Sequence, residues 1–316
     1  MALTPGELRE HLGRGALLSF PVTPFAADGS LDLPRLREHV AALLDHRPDG
    51  LFICGGTGEF VSLSFPEWRA AVAAAVEEVG GAVPVVAGCG YGAATARAYV
   101  RAAEEIGCDG VLVLPPYLTL AEQEGLLAHY ASIADGARIG CIVYQRDNAV
   151  FAPRTVAALA DLPAMAGFKD GIGDVERLQR IALAVEGRLP LMNGLPTAEM
   201  SQCALGAAGA VSYSSAVFNF VPDLALRFYR AWRSGDQATV QALLASFYTP
   251  FCALRERRRG YAVALVKAAV GLTFGRSCGP VRAPLVEPAE EDLEELRGIL
   301  RRNGVPTPQP RPGGAE

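Results

Sequence analysis

The chain contains almost no lysine. Of 29 basic side chains only Lys169 and Lys267 are lysines, and the rest are arginines. No CxxC pair occurs among the seven cysteines (Cys54, Cys89, Cys108, Cys141, Cys203, Cys252 and Cys278). The four histidines (His11, His39, His46 and His129) show no metal-ligand spacing. A zinc ribbon, a redox dithiol and a metal centre are therefore not expected. No long basic block is present and the net charge is −5, which argues against a nucleic-acid partner. The short run Arg255, Arg257, Arg258 and Arg259 reads as a solvated helix face or a subunit contact. No apolar stretch reaches the roughly 18 residues of a membrane span. The N-terminus lacks the basic-then-apolar order of a signal peptide, so no membrane partner is expected and a cytoplasmic location is. Cys54, Cys89 and Cys141 lie in apolar runs and read as buried free thiols of a reducing compartment.

Eight short, nearly continuous apolar runs alternate with amphipathic stretches. The strand candidates are Ala16–Phe25, Gly50–Gly56, Pro84–Gly90, Gly110–Pro116, Ile139–Gln145, Met165–Gly171, Leu189–Gly194 and Gly209–Ser215. Such runs suit parallel strands buried on both faces. Between and after them lie helix candidates, several opening on a cap or first-turn signal: Asp32 before Pro34, Ser64 before Pro66, Asp174 before Val175. Eight strand–helix units predict an α/β fold, a (β/α)8 TIM barrel over residues 1–234. An open doubly wound sheet is the alternative, but no GxGxxG follows the first strand. The first residues, to about Gly13, predict a short helix over the closed bottom of the barrel. Beyond Trp232 the pattern is purely helical (Gln237–Glu256, Tyr261–Leu272, Glu290–Arg301). It predicts a C-terminal helical extension over 235–305, packed on the barrel or on a neighbouring subunit. Residues 306–316, rich in proline and glycine, read as a disordered tail.

In such barrels the chemistry sits at the C-terminal ends of the strands. Strand two ends in Cys54-Gly55-Gly56-Thr57-Gly58-Glu59, strand five in Tyr144-Gln145-Arg146-Asp147-Asn148, strand seven in Asn193-Gly194 and strand eight in Ser212-Tyr213-Ser214-Ser215. Strand six carries Gly167-Phe168-Lys169-Asp170-Gly171. A lysine kept within an apolar strand of an arginine-rich chain invites the question of what arginine cannot do. A desolvated lysine can lose its proton and act as a nucleophile. The alternative for Lys169 is a buried ion pair, with Asp170 as its partner. Lys267 lies on an amphipathic helix and reads as a surface or ion-paired residue. The glycine-rich turn at 55–58 either lets backbone N–H groups and the Thr57 hydroxyl hold a carboxylate or is simply a tight turn. Tyr144 is either a proton relay or a ring filling the barrel mouth.

Taken together these segments resemble the dihydrodipicolinate synthase / N-acetylneuraminate lyase superfamily, over roughly Leu17 to Trp232. The superfamily's GTTGE appears as Gly55-Gly56-Thr57-Gly58-Glu59, its shuttle tyrosine as Tyr144, and its Schiff-base lysine in G-x-K-[DE] as Lys169. Two departures narrow the branch. Gly56 replaces the first threonine, and the arginine expected five residues after the tyrosine is Ala149. With Gly171-Ile172-Gly173-Asp174 and Tyr213-Ser214-Ser215-Ala216, the segments look like the 5-dehydro-4-deoxyglucarate dehydratase family. That family releases water and carbon dioxide and gives 2,5-dioxopentanoate.

The resemblance implies catalytic roles for Lys169, Tyr144 and Thr57, with Tyr144 linked through Thr57. It implies substrate contacts at Gly56, Thr57, Gly58, Arg146, Asn193, Gly194 and Ser212, the distal hydroxyl and carboxylate falling to Arg146, Asn193 and Ser212. No metal or organic cofactor is expected, because an iminium serves as the electron sink. The expected partners are a small 2-keto acid and further copies of the chain, as a tetramer or a dimer, with Tyr117 reaching a neighbour's site. Two rivals stand beside this reading. One is a class I aldolase using the same enamine on a 2-keto-3-deoxy sugar acid, or condensing pyruvate with an aldehyde. The other is a non-catalytic barrel that senses a keto acid.

Overall fold

A computed structural model describes residues 2–308; the expected tail lies mostly outside the described residues, at 309–316. Eight parallel strands pair in chain order, and the last returns to the first to close the barrel. They are β1 (Leu17–Ser19), β2 (Gly50–Ile53), β3 (Val85–Cys89), β4 (Gly110–Val113), β5 (Gly140–Gln145), β6 (Met165–Asp170), β7 (Leu191–Asn193) and β8 (Ala210–Ser215). Each falls within its apolar run. The barrel helices that follow α1 (Pro5–Gly13) are α2 (Leu33–Leu44), α3 (Phe65–Val79), α4 (Ala93–Ile106), α5 (Gln123–Ala134), α6 (Pro153–Ala160), α7 (Val175–Val185), α8 (Glu199–Ala207) and α9 (Pro222–Ser234). Asp32, Ser64 and Asp174 cap α2, α3 and α7 by accepting the N–H three residues on. This relieves donors that a helix start leaves unpaired.

Alternation along each strand sorts the side chains into two cores. Leu18, Phe52, Val86, Leu112, Ile142, Ala166 and Met192 fill the barrel interior. Leu51, Ile53, Val85, Val111, Val143, Phe168 and Leu191 point the other way, into the layer beneath the helices. Helix α1 closes the bottom: Leu8 and Leu12 join the interior cluster, and Gly110 and Gly140 leave room for Leu8.

The extension packs on its own barrel. It comprises α10 (Gln237–Leu243), a π-helical turn (Leu244–Tyr248), α11 (Thr249–Arg255), α12 (Tyr261–Phe274) and α13 (Glu290–Arg302). Phe247, Tyr248, Leu265 and Leu300 share one apolar cluster with Leu17, Tyr213 and Phe228. The sequence pattern predicted one helix over 237–256. The wider π turn comes just before Pro250, which has no N–H for the regular ladder. No helix among the described residues is long and apolar enough to cross a membrane.

The plug is a packing element, so its removal is measurable. Leu8→Ala empties a fully buried site, and we expect a loss of about 2–5 kcal/mol in denaturant unfolding. A loss below about 1 kcal/mol would show that the bottom of the barrel collapses around the gap.

Candidate active site

Three strand ends converge on one amine. In the parallel register Tyr144 of β5 pairs with Lys169 of β6, and Lys169 with Met192 of β7. Tyr144 belongs to the interior cluster with Met192, so Lys169, level with both, points into the barrel mouth. Its Nζ lies 3.8 Å from the Tyr144 ring centroid and 4.9 Å from that of Phe20, and donates a long hydrogen bond (3.4 Å) to the Gly194 carbonyl. The Tyr144 hydroxyl donates to the same carbonyl at 2.8 Å. Two glycines make this crowding possible. A Cβ at Gly194 would sit 2.8 Å from Nζ, and one at Gly171 would sit 2.8 Å from the Tyr144 ring.

Asp170 is not the partner of Lys169. Being the next residue along the strand it faces outward, where it accepts from Gln145 Nε2 (2.6 Å) and from the Ile172 and Gly173 N–H groups. Among the described residues no carboxylate lies within ion-pair reach of Lys169. Burial lowers the pKa of the amine, since the charged form is desolvated; the nearby Arg146 guanidinium acts in the same direction, while Tyr144 and Asp170 oppose it. Burial by itself would raise the Tyr144 phenol, but Lys169 and Arg146 outweigh it and hold the phenol below its ordinary value. A desolvated amine packed against a phenol that shares its carbonyl partner is an arrangement suited to attack on a carbonyl with local proton transfer.

These groups open on a cavity of about 530 Å³ lined by Gly56, Thr57, Tyr144, Arg146, Lys169 and Gly194 from the barrel. Gly58 is packed beneath the turn instead. Its carbonyl accepts from Thr23, and a Cβ there would press on Cys54 and Pro21. Gly56 faces open space, so no crowding demands a glycine there. Thr57 lines the cavity but makes no hydrogen bond to Tyr144 among the described residues; the Gly194 carbonyl takes the place expected of it.

Besides Gly58, two more expected contacts lie elsewhere. Asn193 follows the inward-facing Met192, so alternation turns it outward. Its amide donates to Ala198 O, Ser201 Oγ and Gln202 Oε1, and its carbonyl accepts from Leu195 N. Ser212 lies at the opposite end of the barrel, donating to Leu12 O at 2.7 Å and accepting from Ala16 N. Ser214, two residues further along β8, lines the cavity instead; counting the strand period from Ser212 finds it.

The arginine run also departs from expectation at its first member. Arg255 lines the cavity and donates to Pro196 O and Thr197 Oγ1, whereas Arg257 pairs with Asp292 and Glu295 on α13. No local pattern marks Arg255, because its place follows from how α11 packs on the barrel. Beside the Lys169 amine the lining thus holds two guanidinium groups (Arg146, Arg255) against one carboxylate, Asp147, itself paired with Arg146 at 3.0 Å.

The sequence pattern of the dihydrodipicolinate synthetase family matches residues 14–303. A Streptomyces coelicolor protein named probable 5-dehydro-4-deoxyglucarate dehydratase 1 is 52% identical over 293 residues, covering 91% of this chain and 92% of its own. Among solved structures, dihydrodipicolinate synthase from Bacillus clausii superposes with a TM-score of 0.87 at 29% identity, covering 94% of this chain and 100% of its own. The prophage protein YagE of Escherichia coli K12, of the dihydrodipicolinic acid synthase family and solved with pyruvate, superposes with a TM-score of 0.82 at 25% identity, over 92% of this chain and 99% of its own.

The phenol can be tested apart from the fold. Tyr144→Phe gives up a single hydrogen bond, worth about 1 kcal/mol of stability. We expect borohydride capture of a 2-keto acid on Lys169 to slow by about 10²–10⁴-fold. Capture at the wild-type rate would remove Tyr144 from proton transfer.

Proposed function

The chain belongs to the dihydrodipicolinate synthetase family, and we propose that it dehydrates and decarboxylates 5-dehydro-4-deoxyglucarate through a Schiff base on Lys169. The observation that carries this reading is the buried Lys169 amine, unpaired with any carboxylate among the described residues and packed against the Tyr144 ring in a cavity that Arg146 and Arg255 also line. The name of the Streptomyces coelicolor relative supports the substrate, and the pyruvate with YagE supports capture of a 2-keto acid.

The neutral amine attacks the keto carbon, and Tyr144 moves the protons that carry carbinolamine to iminium. The adjacent methylene loses a proton to give an enamine, which expels the hydroxyl one carbon further along as water. The conjugated iminium then accepts the electron pair freed when the distal carboxylate leaves as carbon dioxide. Tautomerisation of the resulting enol and hydrolysis of the imine release 2,5-dioxopentanoate and restore lysine. One substrate dianion and one proton yield one monoanion, one carbon dioxide and one water.

The turn at Gly56 and Thr57 holds the carboxylate beside the ketone. Arg146, with Arg255 from the extension, faces the distal carboxylate, and Ser214 the distal hydroxyl. Two guanidinium groups at the mouth suit a substrate with a second, distal carboxylate better than a monoanion. Tyr117 and Leu118 line the mouth yet are 69% and 81% exposed. That apolar loop suits contact with a second copy of the chain in a homo-oligomer, dimer or tetramer. Seven free thiols, six of them buried, fit a reducing cytoplasm.

The test is incubation with 5-dehydro-4-deoxyglucarate, following carbon dioxide and 2,5-dioxopentanoate. We expect both in equal amounts, and none from a folded Lys169→Arg variant, whose guanidinium stays protonated. Release of pyruvate instead would mean aldol cleavage, and appreciable turnover by Lys169→Arg would overturn the covalent mechanism.

A further inference from the structure

The second lysine is as buried as the first. Lys267 of α12 and Glu59 of the glycine-rich turn are 2% and 1% exposed at the side chain, and Lys267 Nζ lies 2.9 Å from Glu59 Oε1. The other Glu59 oxygen accepts the Arg282 N–H at 2.9 Å. The ammonium also donates to Pro280 O at 2.7 Å and lies 4.2 Å from the Phe25 ring centroid. Both oxygens of Glu59 are therefore held by the extension, one by the Lys267 ammonium and the other by the Arg282 N–H. The site's chemistry touches neither residue.

The turn needs such an anchor. Cys54 and Glu59 bracket it, both in the left-handed region (φ 52° and 55°), which side-chain-bearing residues adopt at a cost. Its own ladder is slight: Glu59 N donates to Gly56 O at 3.2 Å and Phe60 N to Gly55 O at 3.1 Å. A buried ion pair is a poor source of stability compared with apolar packing, yet breaking one is costly. It is better suited to fixing geometry than to strengthening a fold. A compact ammonium reaches an oxygen, a carbonyl and a ring face together, whereas the planar fork of arginine does not fit that arrangement. This accounts for a lysine surviving at 267 in a chain that uses arginine almost everywhere else.

We propose that the Glu59–Lys267 pair is a positioning device through which the C-terminal extension holds the Gly56–Thr57 turn in the shape that grips the substrate's 2-keto carboxylate. The inference rests on the reading that this turn is the carboxylate site.

The experiment measures borohydride trapping on Lys169, by mass spectrometry of the full-length protein, against the concentration of pyruvate and, in parallel, of hydroxyacetone, a ketone without a carboxylate. Three variants are compared with wild type: Lys267→Arg, Lys267→Met, and the double Glu59→Gln/Lys267→Met, in which both buried charges are gone. We expect Lys267→Met to melt lower than wild type and the double variant to regain most of that loss. In every folded variant the half-saturating pyruvate concentration should rise by about tenfold or more, the worth of one hydrogen bond to a charged group, while hydroxyacetone trapping stays unchanged. The proposal is overturned if the double variant recovers wild-type pyruvate affinity along with its melting temperature, if both ketones weaken equally, or if all three variants simply fail to fold. Absence of any adduct on wild-type Lys169 would instead refute the Schiff-base reading, and this inference with it.

Discussion

Everything in this molecule turns on one desolvated amine. Lys169 sits in the mouth of a closed barrel against an aromatic face; among the described residues it has a single carbonyl at the limit of hydrogen bonding and no carboxylate beside it. Burying an ammonium without a counter-ion is among the more costly things a fold can do, and the usual response is loss of the proton. A neutral amine is what attack on a ketone requires, so the cost of burial and the chemistry have the same origin.

The barrel sets this up through strand alternation and register. Lys169 and Asp170 are neighbours in sequence, yet one faces the mouth and the other the helices, where Gln145 and two backbone N–H groups satisfy its carboxylate. A one-residue slip would exchange them and pair the amine's position with an acid. The parallel register brings Tyr144 level with Lys169. Gly171 and Gly194 then allow phenol and amine to share one carbonyl, because a Cβ at either place would collide with them.

Much of this was legible in the sequence. Eight apolar runs became eight strands, and the caps at Asp32, Ser64 and Asp174 form as their residue types imply. Lys169, Tyr144 and the turn at Gly56–Thr57 stand out because strand ends concentrate polar residues where the core would exclude them. Finer placement was less accessible. Both Asn193 and Ser212 carry polar groups near a strand end, but period-two alternation turns Asn193 away from the mouth, and Ser212 lies at the bottom of the barrel, with Ser214 two residues later at the cavity. Arg255 and the Glu59–Lys267 pair depend on how the extension folds back over the barrel. Contacts between residues 58 and 208 positions apart leave no local trace.

The central claim concerns a protonation state, and the scarcity of lysine makes it directly measurable. With lysine carrying a carbon-13 label beside its amine, the protein should give two resonances, the one lost in Lys169→Arg being that of Lys169. The account predicts that this resonance titrates clearly below the ordinary lysine value of about 10.4. Titration at or above that value would mean that the amine is held charged in the folded protein, and would contradict the account.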